Sequence, residues 1–322
     1  MKPEPATKAT WLQMTKQREF AAFVGLLILI VGFSIASPDF FSTYNLMNIM
    51  RQASIIAILA IGMTFVIIAG GIDLSVGAIA SISGTLAAQV MISSGGGAFI
   101  GILTGLAVGI GVGLVNGLII SRFKVPPIIA TLALMSVSQG LALAVTGGYP
   151  VSGLPDSFAW LGRGFVGVVP IPVIILLLMY IVAHIILNHT KFGAYVFGLG
   201  GNEEATRLAG LNVNKIKIWV YVVSGITAAV SGLILASRLG SGQPLAGQGM
   251  ELNAIAAVVI GGASVAGGIG GVIGSLIGAM IMSVLNNGLD LMNINSYYQM
   301  IFTGIILALA VASQSKKQKR GR

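Results

Sequence analysis

Runs of about 20 mostly apolar residues recur along nearly the whole chain, and this recurrence constrains the fold more than any other feature. A helix needs about 20 such residues to cross a hydrocarbon core ~30 Å thick, because lipid cannot hydrogen-bond unpaired backbone groups. Hydrophobic residues make up 56% of the chain and charged residues only 8%, against about 25% charged in soluble domains. The sequence therefore predicts an all-α, polytopic integral membrane protein.

About ten stretches are long enough to be transmembrane helices. They lie near 20–37, 53–72, 76–94, 97–120, 127–146, 172–188, 216–236, 252–267, 270–289 and 298–313. The 45 glycines interrupt nearly all of them, and small residues let helices approach closely in lipid. We therefore expect several kinked or broken spans, within one transmembrane permease domain over 20–313.

The basic residues predict the orientation, since cytoplasmic segments carry the excess of Lys and Arg. With the N-terminal segment 1–19 in the cytoplasm, 15 of the 18 basic residues lie inside, and only Arg51, Arg163 and Arg238 lie outside. An even number of spans places both termini in the cytoplasm. The net charge of +9 then indicates contact with lipid rather than nucleic acid, and the basic tail 314–322 is expected to lie against anionic headgroups.

One alternative concerns the first span. Charged residues precede an apolar stretch that ends in Ser34, Ile35 and Ala36, which also fits a secretory signal with a small-residue cleavage site. The apolar run is long for a signal core, and its removal would leave an odd number of spans. A transmembrane helix is therefore the favoured interpretation.

A possible internal repeat links the two halves of the chain. The segment 57–78 aligns without gaps on 254–275, agrees at eight of 22 positions and shares the sequence AGGI. Both copies run from outside to inside in the predicted topology, so the halves would be parallel repeats. A composition biased towards Ala, Ile, Val and Gly inflates the score, so chance similarity stays open.

Asp73, in the sequence GGIDLSVG, is the leading polar candidate within the apolar chain, because a charge in the bilayer is costly and needs a reason. Gly70 and Gly71 are suited to end one helix, and Asp73 and Ser75 are suited to cap the next. The capping interpretation is favoured. Direct contact with a polar substrate, or coupling to protons or sodium, remain alternatives.

Further polar residues in the spans are candidates to line a substrate pathway by hydrogen-bonding hydroxyl groups, and interhelical hydrogen bonds are an equal alternative. They are Asn116, Asn286, Asn287 and Gln299. Aromatic residues at predicted outer ends of spans indicate an interfacial belt, and they are Tyr44, Tyr149, Trp160, Tyr297 and Tyr298. His184 and His189 have no further ligand at metal spacing, and the chain has no cysteine, so we expect no metal site and no disulfide.

Motifs of known enzymes are missing from the sequence. It contains no G-x-S-x-G, no H-E-x-x-H and no G-x-x-x-x-G-K-[ST] loop for ATP phosphates. The glycine-rich stretch 261–271 lacks the lysine of such a loop, and helix packing or helix breakage explains it. We therefore expect a transport subunit that is not an enzyme, and any ATP would be hydrolysed by a partner.

The longest predicted cytoplasmic loop, 189–217, contains a short helix. Asn202 is suited to cap it, acidic residues occupy its first turn and a basic residue its last, as the helix dipole favours. The segment comprises Asn202, Glu203, Glu204, Ala205, Arg207, Leu208 and Gly210, which ends it. Two turns are too few for a stable isolated helix, so we expect this helix to dock against a partner.

Four motifs together resemble the membrane permeases of bacterial ABC importers for monosaccharides. They are GGIDLSVGA at 70–78, GGNEEATRLAGLNVNKIK at 200–217, ELNAIAAVVIGGASVAGG at 251–268, and LNNGLDL with SYYQM near the C-terminus. The resemblance covers about residues 20–312. Ribose is the favoured sugar, while galactose, xylose, allose, autoinducer-2 and nucleosides stay open.

The resemblance implies a homodimer with the substrate pathway along its two-fold axis. It also implies a cytoplasmic ABC ATPase that holds ATP and Mg²⁺, and a periplasmic sugar-binding protein that delivers the cargo. The helix 202–210 would be the coupling helix to the ATPase. An ion-coupled secondary transporter is the alternative, although Asp73 is almost the only acidic residue available within the spans, and a membrane-embedded enzyme is disfavoured further.

Overall fold

The computed structural model describes residues 8–93 and 97–320, with side chains from 19 to 93 and from 97 to 312. Residues 1–7 and 321–322 of the predicted terminal segments lie outside these ranges. The helices of the first half are α1 Lys8–Ala36, α2 Thr43–Ile68, α3 Val76–Ser93, α4 Gly97–Arg122, α5 Pro127–Thr146 and α6 Asp156–Arg163. Those of the second half are α7 Ile171–His189, α8 Lys191–Gly201, α9 Glu203–Leu208, α10 Val213–Leu239, α11 Met250–Ile260, α12 Val272–Leu291 and α13 Ser296–Arg320.

The described chain contains very little strand. A 3-10 turn covers Pro38–Phe41. Strand β1 (Val151–Ser152) pairs antiparallel with β4 (Ser241–Gly242), and β2 (Phe165–Val166) pairs antiparallel with β3 (Val169–Pro170). The all-α prediction is therefore confirmed.

Eight of the described helices are long and apolar enough to cross a membrane, namely α1 from Glu19 onwards, α2, α3, α4, α5, α7, α10 and α12. The predicted spans at 252–267 and 298–313 correspond to the shorter apolar helices Met250–Ile260 and Ser296–Ala312. The architecture is thus a multi-pass membrane protein, while the count of ten spans and the cytoplasmic termini remain predictions.

Helix α2 forms the centre of the bundle. Every residue from Ala53 to Ile68 is buried, and α2 packs against α7, α10, α11 and α12. The helix begins ten residues before the predicted span, because the Ser42 side chain caps it. The Ser42 hydroxyl accepts a hydrogen bond of 3.3 Å from the backbone amide of Asn45. Its first turns are polar, so hydropathy alone does not reveal them.

Helices α4 and α10 pack closely through glycines. A Cβ on Gly225 would clash with the backbone of Gly109, and a Cβ on Gly117 would lie 2.7 Å from Cα of Ile218. Such backbone contact is available only to residues without a side chain. The glycine content of the spans is therefore used mainly to bring helices together.

The crossing predicted as one helix over 252–267 is broken, which corrects that prediction. Helix α11 has 11 residues, about 16 Å at 1.5 Å per residue, or half of a bilayer core. The non-helical segment 241–249 that precedes it packs along α3, where the Gly247 amide donates to the Ser81 hydroxyl at 2.8 Å. Glycines before and after α11 prevent a continuous helix.

Candidate functional site: a buried carboxylate and a short charged helix

A buried polar network surrounds Asp73 in the turn between α2 and α3. Gly70 has a positive φ of 85°, which lets the chain reverse after α2. One carboxylate oxygen of Asp73 accepts hydrogen bonds from the Ser75 amide at 2.9 Å and from the Ser75 hydroxyl. The other accepts from the Ser224 hydroxyl of α10 at 2.7 Å. The amide of Asn116 on α4 donates to the Ser75 hydroxyl at 2.8 Å.

This network joins three helices and has no exposure to solvent. Asp73, Ser75, Asn116 and Ser224 are all 0% exposed. A buried carboxylate that accepts three hydrogen bonds is a stable structural element, so the geometry favours a structural role for Asp73. Neither the Asp73 nor the Ser75 side chain, however, accepts a hydrogen bond from an amide of α3 in the described chain. The assignment of Asp73, Ser75 and Asn116 to a substrate pathway stays a prediction that requires the network to open.

The remaining pathway candidates lie at the end of α12 and the start of α13. Asn287 and Asn45 of α2 exchange two amide hydrogen bonds, of 3.0 and 2.7 Å. Asn286 is buried without a side-chain hydrogen bond in the described part of the chain. Gln299 donates to Asp290 at 2.6 Å and to the Ile294 carbonyl at 3.1 Å. For Asn287 and Gln299 the structure therefore shows the interhelical alternative, and whether any of them meets a substrate stays open.

The two AGGI sequences of the predicted repeat meet in space. Both form turns, at 69–72 after α2 and at 266–269 after α11, and the Gly268 amide donates to the Ile68 carbonyl at 2.9 Å. Both segments thus have a helix–turn–helix arrangement, and the internal repeat stays a prediction.

Gly200 at the end of α8 lies against both of these turns. A Cβ on Gly200 would clash with the Ile68 carbonyl and would lie 2.6 Å from the Gly268 amide nitrogen. Only Asn202, the cap of α9, separates α8 from α9. The short helix α9 is therefore connected through one residue to α8, whose end contacts the turns after two other helices.

Helix α9 has the predicted cap and charge pattern. Asn202 accepts a hydrogen bond of 2.9 Å from the Ala205 amide. Arg207 pairs with Glu204 at 2.9 Å and with Glu203 at 3.2 Å, and Lys217 of α10 pairs with Glu203 at 2.8 Å. The pairs of Arg207 lie within α9, and the Lys217–Glu203 pair links α9 to the start of α10.

The outer face of α9 is open. Leu208 is 80% exposed beside the charged residues, and Gly210 ends the helix with a positive φ of 81°. Helix α8 before it was not predicted, because its sequence KFGAYVFGLGG carries four glycines in a short apolar run. The role of α9 as a coupling helix stays a prediction.

The aromatic and histidine residues behave as simple surface groups. Tyr44, Tyr149, Trp160, Tyr297 and Tyr298 are between 57% and 80% exposed, as expected for an interfacial belt. The two histidine rings lie 5.8 Å apart between centroids. No group of three metal-binding side chains occurs among the described residues.

Two polar residues on α2, Asn48 and Gln52, were not among the predicted site residues. They line a cavity at the end of the bundle where α2 begins. Together with Asn45 they occur at spacings of three and four residues, which place them on one helix face. That spacing was the available signal. It was missed because the segment precedes the predicted span.

The fold defines a class, a multi-pass membrane permease in which a short helix, α9, lies between α8 and α10. A family model described as "Branched-chain amino acid transport system / permease component" matches residues 45–311. The chain belongs to this permease family, and it is a multi-pass protein of the inner, cytoplasmic membrane.

Curated relatives cover nearly the whole chain. It is 46% identical over 316 residues to the ribose import permease protein RbsC of Escherichia coli K12, which covers 97% of this chain and 96% of that one. It is 43% identical to RbsC of Bacillus subtilis, over 93% and 94% of the two chains. The L-arabinose transport system permease protein AraH of Escherichia coli K12 is 37% identical, over 94% and 92%. No solved structure matches significantly.

Proposed function

We propose that this chain is the membrane-spanning permease subunit of an ATP-driven ABC importer that moves ribose from the periplasm to the cytoplasm. The main support for this proposal is the 46% identity to a ribose import permease over 97% of the chain. The family description names branched-chain amino acids, but the ribose and arabinose relatives favour a pentose. An ion-coupled secondary transporter is disfavoured, because the buried carboxylate of Asp73 already accepts three hydrogen bonds from neighbouring groups.

The partners follow from this proposal. A second copy of the chain would complete the pathway, and a periplasmic sugar-binding protein would deliver ribose. A cytoplasmic ATPase would hold ATP and Mg²⁺ and would receive α9. The charged surface of α9 and the exposed Leu208 suit a docking contact that combines ion pairs with an apolar anchor.

The mechanism proposed here uses α9 as the link between ATP and the membrane. Motion of α9 would pass through Asn202 and Gly200 to the turns 69–72 and 266–269. Those turns precede α3 and α12, so a small displacement would reorient helices on both sides of α2. Selectivity would come mainly from the binding protein, and the permease would bind sugar weakly and open to alternate sides.

The partner proposal is tested by gentle detergent extraction and mass spectrometry of the intact complex. We expect a permease dimer that retains an ATPase in equal stoichiometry. Reproducible recovery without any ATPase, from membranes that still take up ribose under an ion gradient, would reject the importer in favour of the secondary transporter.

A further inference from the structure

A cavity of about 570 Å³ opens at the end of the bundle where α2 begins and where α10 and α12 end. Its volume lies in the range of about 300–1,000 Å³ typical of small-molecule sites. The distribution of basic residues places this end of the bundle outside the cell. We call the cavity the outer vestibule, and its polar walls are Asp39, Asn48, Gln52, Arg238 and Asp290.

The floor of the outer vestibule is fixed. Asn45 and Asn287 are only 5% and 7% exposed, and each amide donates to the oxygen of the other at 3.0 and 2.7 Å. Asn45 also donates to the Phe40 carbonyl at 2.9 Å. These bonds satisfy the floor internally and hold the start of α2 against the end of α12.

The walls, in contrast, have unused hydrogen-bonding capacity. Within the part of the chain whose side chains are described, those of Asp39, Asn48, Gln52 and Arg238 make no hydrogen bond and no ion pair. Asp290 uses one carboxylate oxygen for Gln299. Two primary amides, a guanidinium and carboxylate oxygens therefore converge on one cavity, where all of them are at least partly exposed to solvent.

This set of groups matches the chemistry of a polyhydroxylated ligand. A hydroxyl group both donates and accepts, amides do the same, carboxylates accept and guanidinium donates. An apolar occupant, such as an acyl chain, would leave each of these groups unpaired at a cost of about 1–3 kcal/mol.

We propose that the outer vestibule is a low-affinity sugar-binding site, in which Asn48, Gln52, Asp39 and Arg238 bind the hydroxyl groups of ribose before it enters the membrane. This inference rests on the proposed import of ribose. It places the first contact between the sugar and the permease in the outer vestibule. A sugar handed over by a binding protein would be held at the mouth while the membrane helices open.

The test measures ribose binding to the full-length chain in lipid nanodiscs, without any binding protein, by saturation-transfer difference NMR. Asn48→Ala and Gln52→Ala are compared with the wild type. Gln139→Ala is the matched control, because Gln139 is half-buried on α5, away from the vestibule, and also makes no side-chain hydrogen bond in the described chain. Thermal melting of every variant verifies that it is folded.

We expect transfer to the ribose protons for the wild type and for Gln139→Ala, and about fivefold weaker apparent binding for each vestibule variant, as for one lost hydrogen bond. Leucine is measured in the same way, because the family description names branched-chain amino acids. Equal ribose signals in all four proteins would overturn the site. Saturation transfer to leucine but not to ribose would also overturn it. A failure of the proposed function is separate, since the complete transporter would then not accumulate ribose at all.

Discussion

The Asp73 carboxylate accepts a hydrogen bond of 2.7 Å from the hydroxyl of Ser224, which lies 151 residues further along the chain. This bond fixes the turn between α2 and α3 to the middle of α10. Together with the two hydrogen bonds from Ser75, it offsets the cost of burying the carboxylate, which is 0% exposed. Loss of this hydrogen bond should therefore lower the stability of the protein rather than change its substrate preference.

Ser224→Ala should lower the free energy of unfolding by about 1.5–3 kcal/mol, because a hydrogen bond to a charged group is stronger than a neutral one. The control is Ser231→Ala on the same helix, whose hydroxyl donates to the neutral Ile55 carbonyl at 3.0 Å, with an expected loss of about 1 kcal/mol. Thermal melting in detergent measures both. An equal or larger loss for Ser231→Ala would contradict the role given to Asp73.

Asp73→Asn separates the capping interpretation from ion coupling. Asparagine keeps one carbonyl oxygen for Ser75 and presents an amide donor to Ser224, so we expect a less stable protein. Ribose uptake per folded molecule should be retained, and it should not respond to a proton or sodium ionophore. Normal amounts of folded protein without any uptake would instead indicate that the charge takes part in transport.

Gly200→Ala should damage the junction between α8 and the two turns, because its Cβ would clash with the Ile68 carbonyl. Overpacking of this kind costs about 1–3 kcal/mol. Gly201→Ala is the matched control, since a Cβ there meets nothing within 4 Å. Melting temperature and the ratio of ATP hydrolysed to ribose imported are measured for both. Identical behaviour of the two variants would remove the junction from the mechanism.

Arg207→Ala should raise the amount of ATP hydrolysed per ribose imported, because it removes both ion pairs that hold Glu203 and Glu204 on α9. The sugar preference should not change. Arg122→Ala provides the control at another predicted cytoplasmic site, where the exposed arginine forms no ion pair in the described chain. An unchanged coupling ratio for Arg207→Ala, measured in proteoliposomes, would count against the coupling helix.

Local signals in the sequence predicted the elements that depend on local chemistry. The glycines before Asp73 allow the turn after α2, and Asn202 caps α9. Each role depends only on neighbouring residues, so it could be inferred from spacing in the sequence. Hydropathy likewise located α3, α4, α5 and α7 closely, because each is a continuous apolar helix.

Contacts between distant segments could not be inferred in this way. Ser224 is one serine in an apolar helix, and nothing near it indicates a carboxylate partner. Helix breakage was one interpretation of the glycines in 261–271, but the span was extended to 267 because the segment after Ile260 remains apolar through the turn. Apolar composition does not reveal where hydrogen bonds stop. The vestibule needs α2, α10 and α12 together, so only the folded chain brings Asn48 and Arg238 to one cavity.

ATP-driven import of ribose is tested by ribose accumulation in proteoliposomes that contain this chain, its copurified ATPase and the cognate sugar-binding protein. We expect uptake of labelled ribose that requires ATP and the binding protein and persists when ionophores collapse every ion gradient. Uptake driven by an ion gradient, without ATP or the ATPase, would contradict it.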